Sequence, residues 1–129
     1  MADVLIVIDM QNALHKMANF DAVVAGINKR IAVYRQEKKA IFFVQTTDDE
    51  IPSDTEAFEL TDKLDFKSQK DEFIVKTTPD SFYHTNLEAY LKTYNTHSVE
   101  ICGGQTEYCV DTTIRVARHL NYEVEVTRG

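Results

Sequence analysis

The chain has 129 residues, 43% of them hydrophobic, and a formal charge of −7 because 21 Asp and Glu outnumber 14 Lys and Arg. This length and apolar fraction suffice for a buried core, and we expect residues 1–129 to form a single domain. The acidic surplus argues against a surface that binds nucleic acid or anionic membranes. No apolar run approaches the roughly 20 residues needed to cross a bilayer, so we expect no membrane partner.

The two cysteines, Cys102 and Cys109, lie on either side of a predicted turn and lack the C-x-x-C spacing of a metal site. The apolar run that starts at Leu5 follows Asp3, with no basic segment before it and no small-residue cleavage site after it. We therefore expect no signal peptide and a reducing, cytoplasmic setting.

Short apolar runs predict strands at residues 4–8, 40–45, 72–75 and 99–102, and the run at 122–126 predicts a fifth. Residues 20–34 and 87–94 carry apolar side chains at helical spacing, and a third helix is predicted to begin near Thr106. The acidic stretch 47–72 is interpreted as a surface or lid segment. This alternation of strands and helices predicts a three-layer α/β/α domain with a mostly parallel sheet.

Three reactive side chains, those of Asp9, Lys76 and Cys109, each follow a predicted strand. The carboxyl ends of the strands form the edge at which open α/β sheets bind ligands. A thiol can act as a nucleophile, a carboxylate can accept its proton, and an ammonium can balance the charge. Ordinary structural roles are also open: a loop or cap residue for Asp9, a solvated strand end for Lys76 and a buried thiol for Cys109.

The turn at Gly103-Gly104 is followed by a predicted helix in which Thr106 is the N-cap. Cys109 would then lie in the first helical turn, where unpaired N–H groups and the positive end of the helix dipole gather. A thiol in that field is predicted to have a lowered pKa.

Three further residues are candidate neighbours of this site. Gln11 could form a hydrogen bond near the site or cap the turn after Asp9. Phe82 and Tyr108 could line a pocket for a flat substrate, or could serve only in packing.

Three segments resemble the isochorismatase-like cysteine hydrolase superfamily, which includes the nicotinamidases. They are VLIVIDMQN around Asp9, IVKTTPDSFYHTNLEAYL around Lys76 and ICGGQTEYCVDTTIRVARHLNY around Cys109. The likeness covers nearly the whole chain in the family's order. It implies a Rossmann-like sheet of order 3-2-1-4-5-6. We expect the sixth strand to be missing from residues 1–129, because relatives continue through another strand and helix, and the sequence is then either a fragment or a naturally short member. The likeness also implies that the three residues form a catalytic triad, and it favours Phe82 as a pocket residue.

The resemblance leads us to expect a hydrolase that cleaves a small amide through a thioester on Cys109. The oxyanion is expected to be held by the backbone N–H groups of Gln105 and Cys109. Because relatives commonly have a cis peptide before this segment, we expect one at Gly104-Gln105. The alternative is a non-catalytic binding or assembly module that keeps the fold.

The sequence also departs from the family's pattern. Metal-dependent nicotinamidases carry Asp-x-His after the second strand, where this chain reads Thr47-Asp48-Asp49-Glu50, and no histidine occurs from residue 16 to 83. We therefore expect no metal and no cofactor, as in the metal-free amidohydrolase-type branch. Leu14 stands where many relatives have Phe, which changes the apolar wall of the pocket. The expected partners are a small-molecule substrate and further copies of the chain, in a dimer or larger homo-oligomer.

Overall fold

The computed structural model describes residues 1–104 and 106–126, with the backbone alone at Thr106 and Glu107. The strands are β1 (Val4–Ile8), β2 (Ala40–Thr46), β3 (Glu72–Lys76), β4 (Ser98–Gly103) and β5 (Glu123–Val126). The helices are α1 (Phe20–Gln36), α2 (Leu87–Thr93) and α3 (Asp111–His119). All of the predicted strands and helices are present, with small shifts at their ends.

The five strands form one sheet of order β3-β2-β1-β4-β5, and each neighbouring pair is parallel. The predicted α/β class and strand order are therefore confirmed. Because the strands run in the same direction, their carboxyl ends meet at a single edge of the sheet. The residues that end or follow β1, β2 and β3 therefore lie side by side.

Alternate residues of β1 face opposite layers, which explains why the whole strand is apolar. Leu5 and Val7 pack in the same core cluster as the apolar stripe of α1, which includes Ile27 and Ile31. On the other face, the cluster contains Val4, Ile6, Ile8, Leu91 of α2 and Ile114 of α3. A strand that is buried on both faces has no polar side, so it reads as a continuous apolar run.

A buried ion pair fixes α1 against β4. Glu100 is only 2% exposed, and its carboxylate accepts two hydrogen bonds from Arg30 at 2.7 and 2.8 Å and one from Tyr34 at 2.9 Å. Burial, followed by the Glu100 carboxylate, raises the pKa of the Tyr34 hydroxyl. A forked arginine–carboxylate pair of this kind sets the position of the helix as well as compensating the buried charge.

The segment between β4 and α3 differs from the prediction. Residues Thr106–Val110 form a π-helical turn, and α3 begins only at Asp111. The helical segment thus begins at Thr106, close to the prediction, but its first turn is π-helical, and Cys109 lies in that turn before the regular α-helix begins. Turns of this wider kind are uncommon and often occur at functional sites.

Nowhere in residues 1–104 or 106–126 is a helix both long enough and apolar enough to cross a membrane.

Candidate active site

Three strands bring reactive side chains to one edge of the sheet. Asp9 follows the last residue of β1, Lys76 is the last residue of β3, and Cys109 lies beyond the end of β4. These residues are 3%, 1% and 6% exposed, respectively. The structure therefore brings together the three residues that the sequence analysis grouped by topology.

Asp9 has an uncommon backbone conformation. Its φ of 61° lies in the left-handed region, which asparagine and aspartate adopt more readily than other non-glycine residues. Its N–H donates to the carbonyl oxygen of Val44 at 2.8 Å, so β2 supports the turn at the end of β1. Such conformations cost free energy and persist where surrounding contacts hold them, often at functional sites.

The ammonium of Lys76 lies at the centre of the cluster. Its Nζ is 2.7 Å from Thr46 Oγ1, 2.9 Å from Cys109 Sγ and 3.5 Å from Asp9 Oδ2. The three protons of the ammonium thus have three possible acceptors. A buried ammonium is costly unless it is paired and hydrogen-bonded, and the Asp9 carboxylate supplies the compensating charge.

The pKa of the Cys109 thiol is raised. Burial contributes most, the hydrogen bond with Asp9 adds to the rise, and the contact with Lys76 opposes it. The predicted lowering is therefore wrong, because the thiol is desolvated beside a carboxylate. A thiol with a raised pKa keeps its proton at neutral pH, so its use as a nucleophile requires a nearby base.

A cavity of about 190 Å³ opens onto the sulfur. It is lined by Asp9, Gln11, Ala13, Leu14, Thr46, Asp48, Glu50, Ile51 and Cys109. Asp48 and Glu50 are exposed, which places them at its solvent side. Among the described residues that line it there is no Lys, Arg or His. The lining therefore favours an uncharged or cationic guest over an anionic one.

The predicted substrate-binding residues are divided between the cavity and other parts of the fold. Leu14 and Gln11 line the cavity. Phe82 lies outside the lining and stacks on the ring of Tyr122, with centroids 6.3 Å apart. Tyr108 also lies outside the lining and is 66% exposed. Contact of any of these residues with substrate stays a prediction.

Gln11 is anchored by its own side-chain amide. Nε2 donates to the carbonyl oxygens of Thr46 at 2.9 Å and Phe58 at 2.7 Å, and Oε1 accepts from the N–H of Thr46 at 2.8 Å. Both donors of the amide are thus occupied by the protein. Gln11 therefore holds the end of β2 in place at the cavity wall.

The backbone beside the cavity is only partly described. The N–H of Gly104 donates to the carbonyl oxygen of Ile8 at 3.1 Å, which places Gly104 next to the end of β1. A Cβ at Gly104 would lie 3.0 Å from Cδ1 of Leu14. Gln105 and the Gly104-Gln105 peptide lie outside the described residues, so the predicted oxyanion hole and cis peptide stay predictions.

The acidic residues after β2 serve the backbone of their own loop. Oδ1 of Asp48 accepts from the N–H groups of Glu50 and Ile51, both at 2.9 Å. Across residues 1–104 and 106–126, no three His, Cys, Asp or Glu side chains converge as a metal site would require.

Thr46 belongs to the site but is not among the residues predicted from the sequence. Its hydroxyl donates to Asp9 Oδ1 at 2.7 Å and accepts from Lys76 at 2.7 Å. One signal was available, since Thr46 directly follows the predicted strand 40–45, at the same sheet edge as the other site residues. The stretch interpreted as a surface or lid segment likewise contributes Asp48, Glu50 and Ile51 to the cavity wall.

The sequence of this chain is similar to those of known proteins. The family model described as the isochorismatase domain matches residues 3–128. An uncharacterised isochorismatase family protein of Bacillus subtilis, YrdC, is 31% identical over 128 residues, covering 92% of this chain and 67% of that protein. A protein of Arabidopsis thaliana named as a probable inactive nicotinamidase is 28% identical over 144 residues, covering 92% and 74%.

Solved structures share the fold. The crystal structure of an isochorismatase family protein superposes with a TM-score of 0.91 at 40% identity, covering 95% of this chain and 76% of that one. The N-carbamoylsarcosine amidase of Thermoplasma acidophilum has a TM-score of 0.90 at 23% identity, covering 98% and 82%. At that identity the second likeness concerns the fold alone.

Proposed function

The chain belongs to the isochorismatase family. We propose that it is a cysteine hydrolase whose substrate is a small amide that carries no carboxylate group. Family membership supports hydrolase activity on small substrates. The observation that carries the finer proposal is the 2.9 Å contact between Lys76 Nζ and Cys109 Sγ, formed beside the buried carboxylate of Asp9.

The first chemical step is attack by sulfur on the amide carbonyl. Asp9 accepts the thiol proton as the S–C bond forms, and the ammonium of Lys76 stabilises the negative charge that develops on sulfur. The carbonyl π electrons move onto oxygen, and the backbone N–H groups of Gln105 and Cys109 are the proposed donors to that oxyanion. Lys76 keeps its proton throughout this step.

The second half of the reaction regenerates the thiol. Collapse of the tetrahedral intermediate breaks the C–N bond, and Asp9 returns its proton to the leaving nitrogen. A water molecule, deprotonated by Asp9, then attacks the thioester carbonyl, and the S–C bond breaks to release the carboxylic acid. The sulfur recovers a proton from Asp9, so the protein ends the cycle unchanged.

The proposed substrate class follows from the cavity. About 190 Å³ suits a small molecule, and a substrate carboxylate would meet Asp48 and Glu50 with no cation in the described lining. The ammonium of Lys76 is already in contact with three protein groups. An uncharged or cationic amide therefore fits the site better than an anionic one.

A panel of small primary amides tests this proposal. Uncharged, cationic and anionic members of similar size are incubated with the wild type and with Cys109→Ala, and ammonia release is measured. We expect hydrolysis of an uncharged or cationic amide by the wild type alone, with an acylated Cys109 detected by mass spectrometry after rapid quenching. Hydrolysis that survives in Cys109→Ala, or that is confined to anionic amides, would contradict the proposal.

The second candidate is a binding or assembly module without catalysis. The name of the Arabidopsis relative, a probable inactive nicotinamidase, favours it. Iodoacetamide separates the two candidates: a nucleophile at an open cavity is labelled in the folded protein, whereas a structural Cys109 is labelled only on unfolding.

A further inference from the structure

The hydroxyl of Thr46 stands between the two charged members of the site. It donates its proton to Asp9 Oδ1 at 2.7 Å and accepts a proton from the Lys76 ammonium, also at 2.7 Å. An ammonium can only donate, so the single hydroxyl proton must point to the carboxylate. The direct contact between Lys76 and Asp9 is longer, at 3.5 Å.

The backbone of Thr46 is held as firmly as its side chain. The amide of Gln11 bonds both the N–H and the carbonyl of Thr46, and it is itself tied to the carbonyl of Phe58. Gln11 is 2% exposed, so water competes little for these bonds. The hydroxyl is therefore presented from a backbone with little freedom to move.

We propose that Thr46 is a positioning residue that holds the Lys76 ammonium beside the sulfur of Cys109. Its hydroxyl lies between Lys76 and Asp9 and so prevents these two groups from forming a closer ion pair. Unbridged ammonium and carboxylate groups in a buried site approach to about 2.8 Å. Such an approach would draw Nζ away from the sulfur. With the hydroxyl between them, both charges are hydrogen-bonded, Lys76 stays 2.9 Å from Sγ, and Asp9 remains available to the thiol.

This role rests on the proposed function, in which the Cys109 thiol must lose its proton. Among the side chains that the structure describes, the charged groups that face the thiol are Asp9 and Lys76, with Asp48 and Glu50 at the solvent side of the cavity. Loss of the hydroxyl moves the one cation among them towards Asp9 and away from sulfur. Thiolate formation then becomes less favourable.

The test compares Thr46→Val, which removes the hydroxyl at nearly constant shape, with Thr46→Ser, which retains it. Thr47→Val is the matched control, because the Thr47 hydroxyl donates to the carbonyl of Ile51 outside the charged cluster. The rate of alkylation of Cys109 by iodoacetamide is measured from pH 6 to 11, with mass spectrometry used to locate the label.

For Thr46→Val we expect the apparent pKa of alkylation to rise by about one unit, and the rate at any pH below it to fall about tenfold. Thr46→Ser and Thr47→Val should stay within about twofold of the wild type. If Thr46→Val does not fold, Thr46→Ala takes its place and must show the same shift. Thermal unfolding of each variant identifies those that are folded.

The outcomes separate this inference from the proposed function. An unchanged pH profile in a folded Thr46→Val or Thr46→Ala protein overturns the inference, even if the wild type hydrolyses amides. A loss shared by Thr46→Ser or Thr47→Val also overturns it, since the hydroxyl would then not be the cause. A shifted profile in a protein without hydrolase activity upholds the inference and counts against the proposed function alone.

Discussion

The buried ammonium of Lys76 lies 2.9 Å from the sulfur of Cys109. The positive charge therefore faces the atom that becomes negative when the thiol loses its proton. Burial raises the pKa of the thiol most, and the hydrogen bond with the Asp9 carboxylate, which stands beside the same atom, adds to the rise. This arrangement keeps the thiol protonated at rest and favours proton transfer at the moment of attack.

Removal of any one of the three reactive groups should abolish most of the activity. We expect Cys109→Ala, Lys76→Met and Asp9→Asn each to lower the rate of amide hydrolysis about 10³-fold or more, because such groups act as a unit. Asparagine is chosen at position 9 because it tolerates the positive φ. Ammonia release gives the rates, and circular dichroism checks folding. A folded variant with near wild-type turnover would remove its residue from the triad.

The carboxylates at the cavity mouth should select reagents by charge. We expect Cys109 to react faster with a cationic methanethiosulfonate than with an anionic one. Asp48→Asn combined with Glu50→Gln should reduce that rate ratio about three- to tenfold at low ionic strength, and less in salt. Asparagine at position 48 keeps the acceptor for the loop N–H groups. The control is Asp49→Asn, because Asp49 lies outside the cavity lining. An equal reduction of the rate ratio in that variant would show that the net charge of the protein, and not the cavity mouth, selects the reagent.

The fold should lose stability above pH 9. Burial raises the pKa of the Cys102 thiol above its ordinary value of 9.0, so the folded state keeps a proton that the unfolded state releases. The free energy of unfolding therefore falls as pH rises past 9.0, by about 2 kcal/mol at pH 10.5 for this group. Urea unfolding at pH 8 and pH 10.5 measures the fall. In Cys102→Ala the free energy of unfolding should fall by about 2 kcal/mol less than in the wild type. Identical falls in the wild type and the variant would show that Cys102 is not the group responsible.

The ion pair at the buried Glu100 should contribute more to stability than the exposed pair between Lys63 and Asp21. Arg30→Met removes two hydrogen bonds from the buried Glu100 carboxylate and should lower the free energy of unfolding by about 3 kcal/mol. Lys63→Met breaks a pair with Asp21 whose side chains are 61% and 78% exposed, and should cost less than about 1 kcal/mol. Chemical denaturation of both variants makes the comparison. Equal losses would show that burial does not govern the pair at Glu100.

The apolar pattern of the chain was sufficient to predict the three-layer α/β/α class with a mostly parallel sheet, whereas the strand order was implied by the family resemblance. A strand covered by helices on both faces must be apolar throughout, so Val4–Ile8 and the middle of Ala40–Thr46 could be recognised without knowledge of their neighbours. Parallel strands place their carboxyl ends at one edge, so the proximity of Asp9, Lys76 and Cys109 followed from topology. These are properties that local sequence carries.

Close contacts between distant segments could not be predicted in this way. The sequence predicts Gly103 in a turn, but it is the last residue of β4, where a Cβ would lie 2.3 Å from the carbonyl oxygen of Ile8. The wider turn at Thr106–Val110 likewise has no periodicity of its own in the sequence. Both features depend on how β1 and β4 approach each other.

The electrostatic state of the site was also decided by tertiary structure alone. Sequence places a cysteine near a helix start, which by itself predicts a lowered pKa; burial beside Asp9 reverses that direction. The bridging position of Thr46 depends on Asp9 Oδ1 and Lys76 Nζ both lying 2.7 Å from its hydroxyl oxygen. Apolar periodicity determines which segments are buried, whereas desolvation and hydrogen bonding depend on which atoms the folded chain brings together.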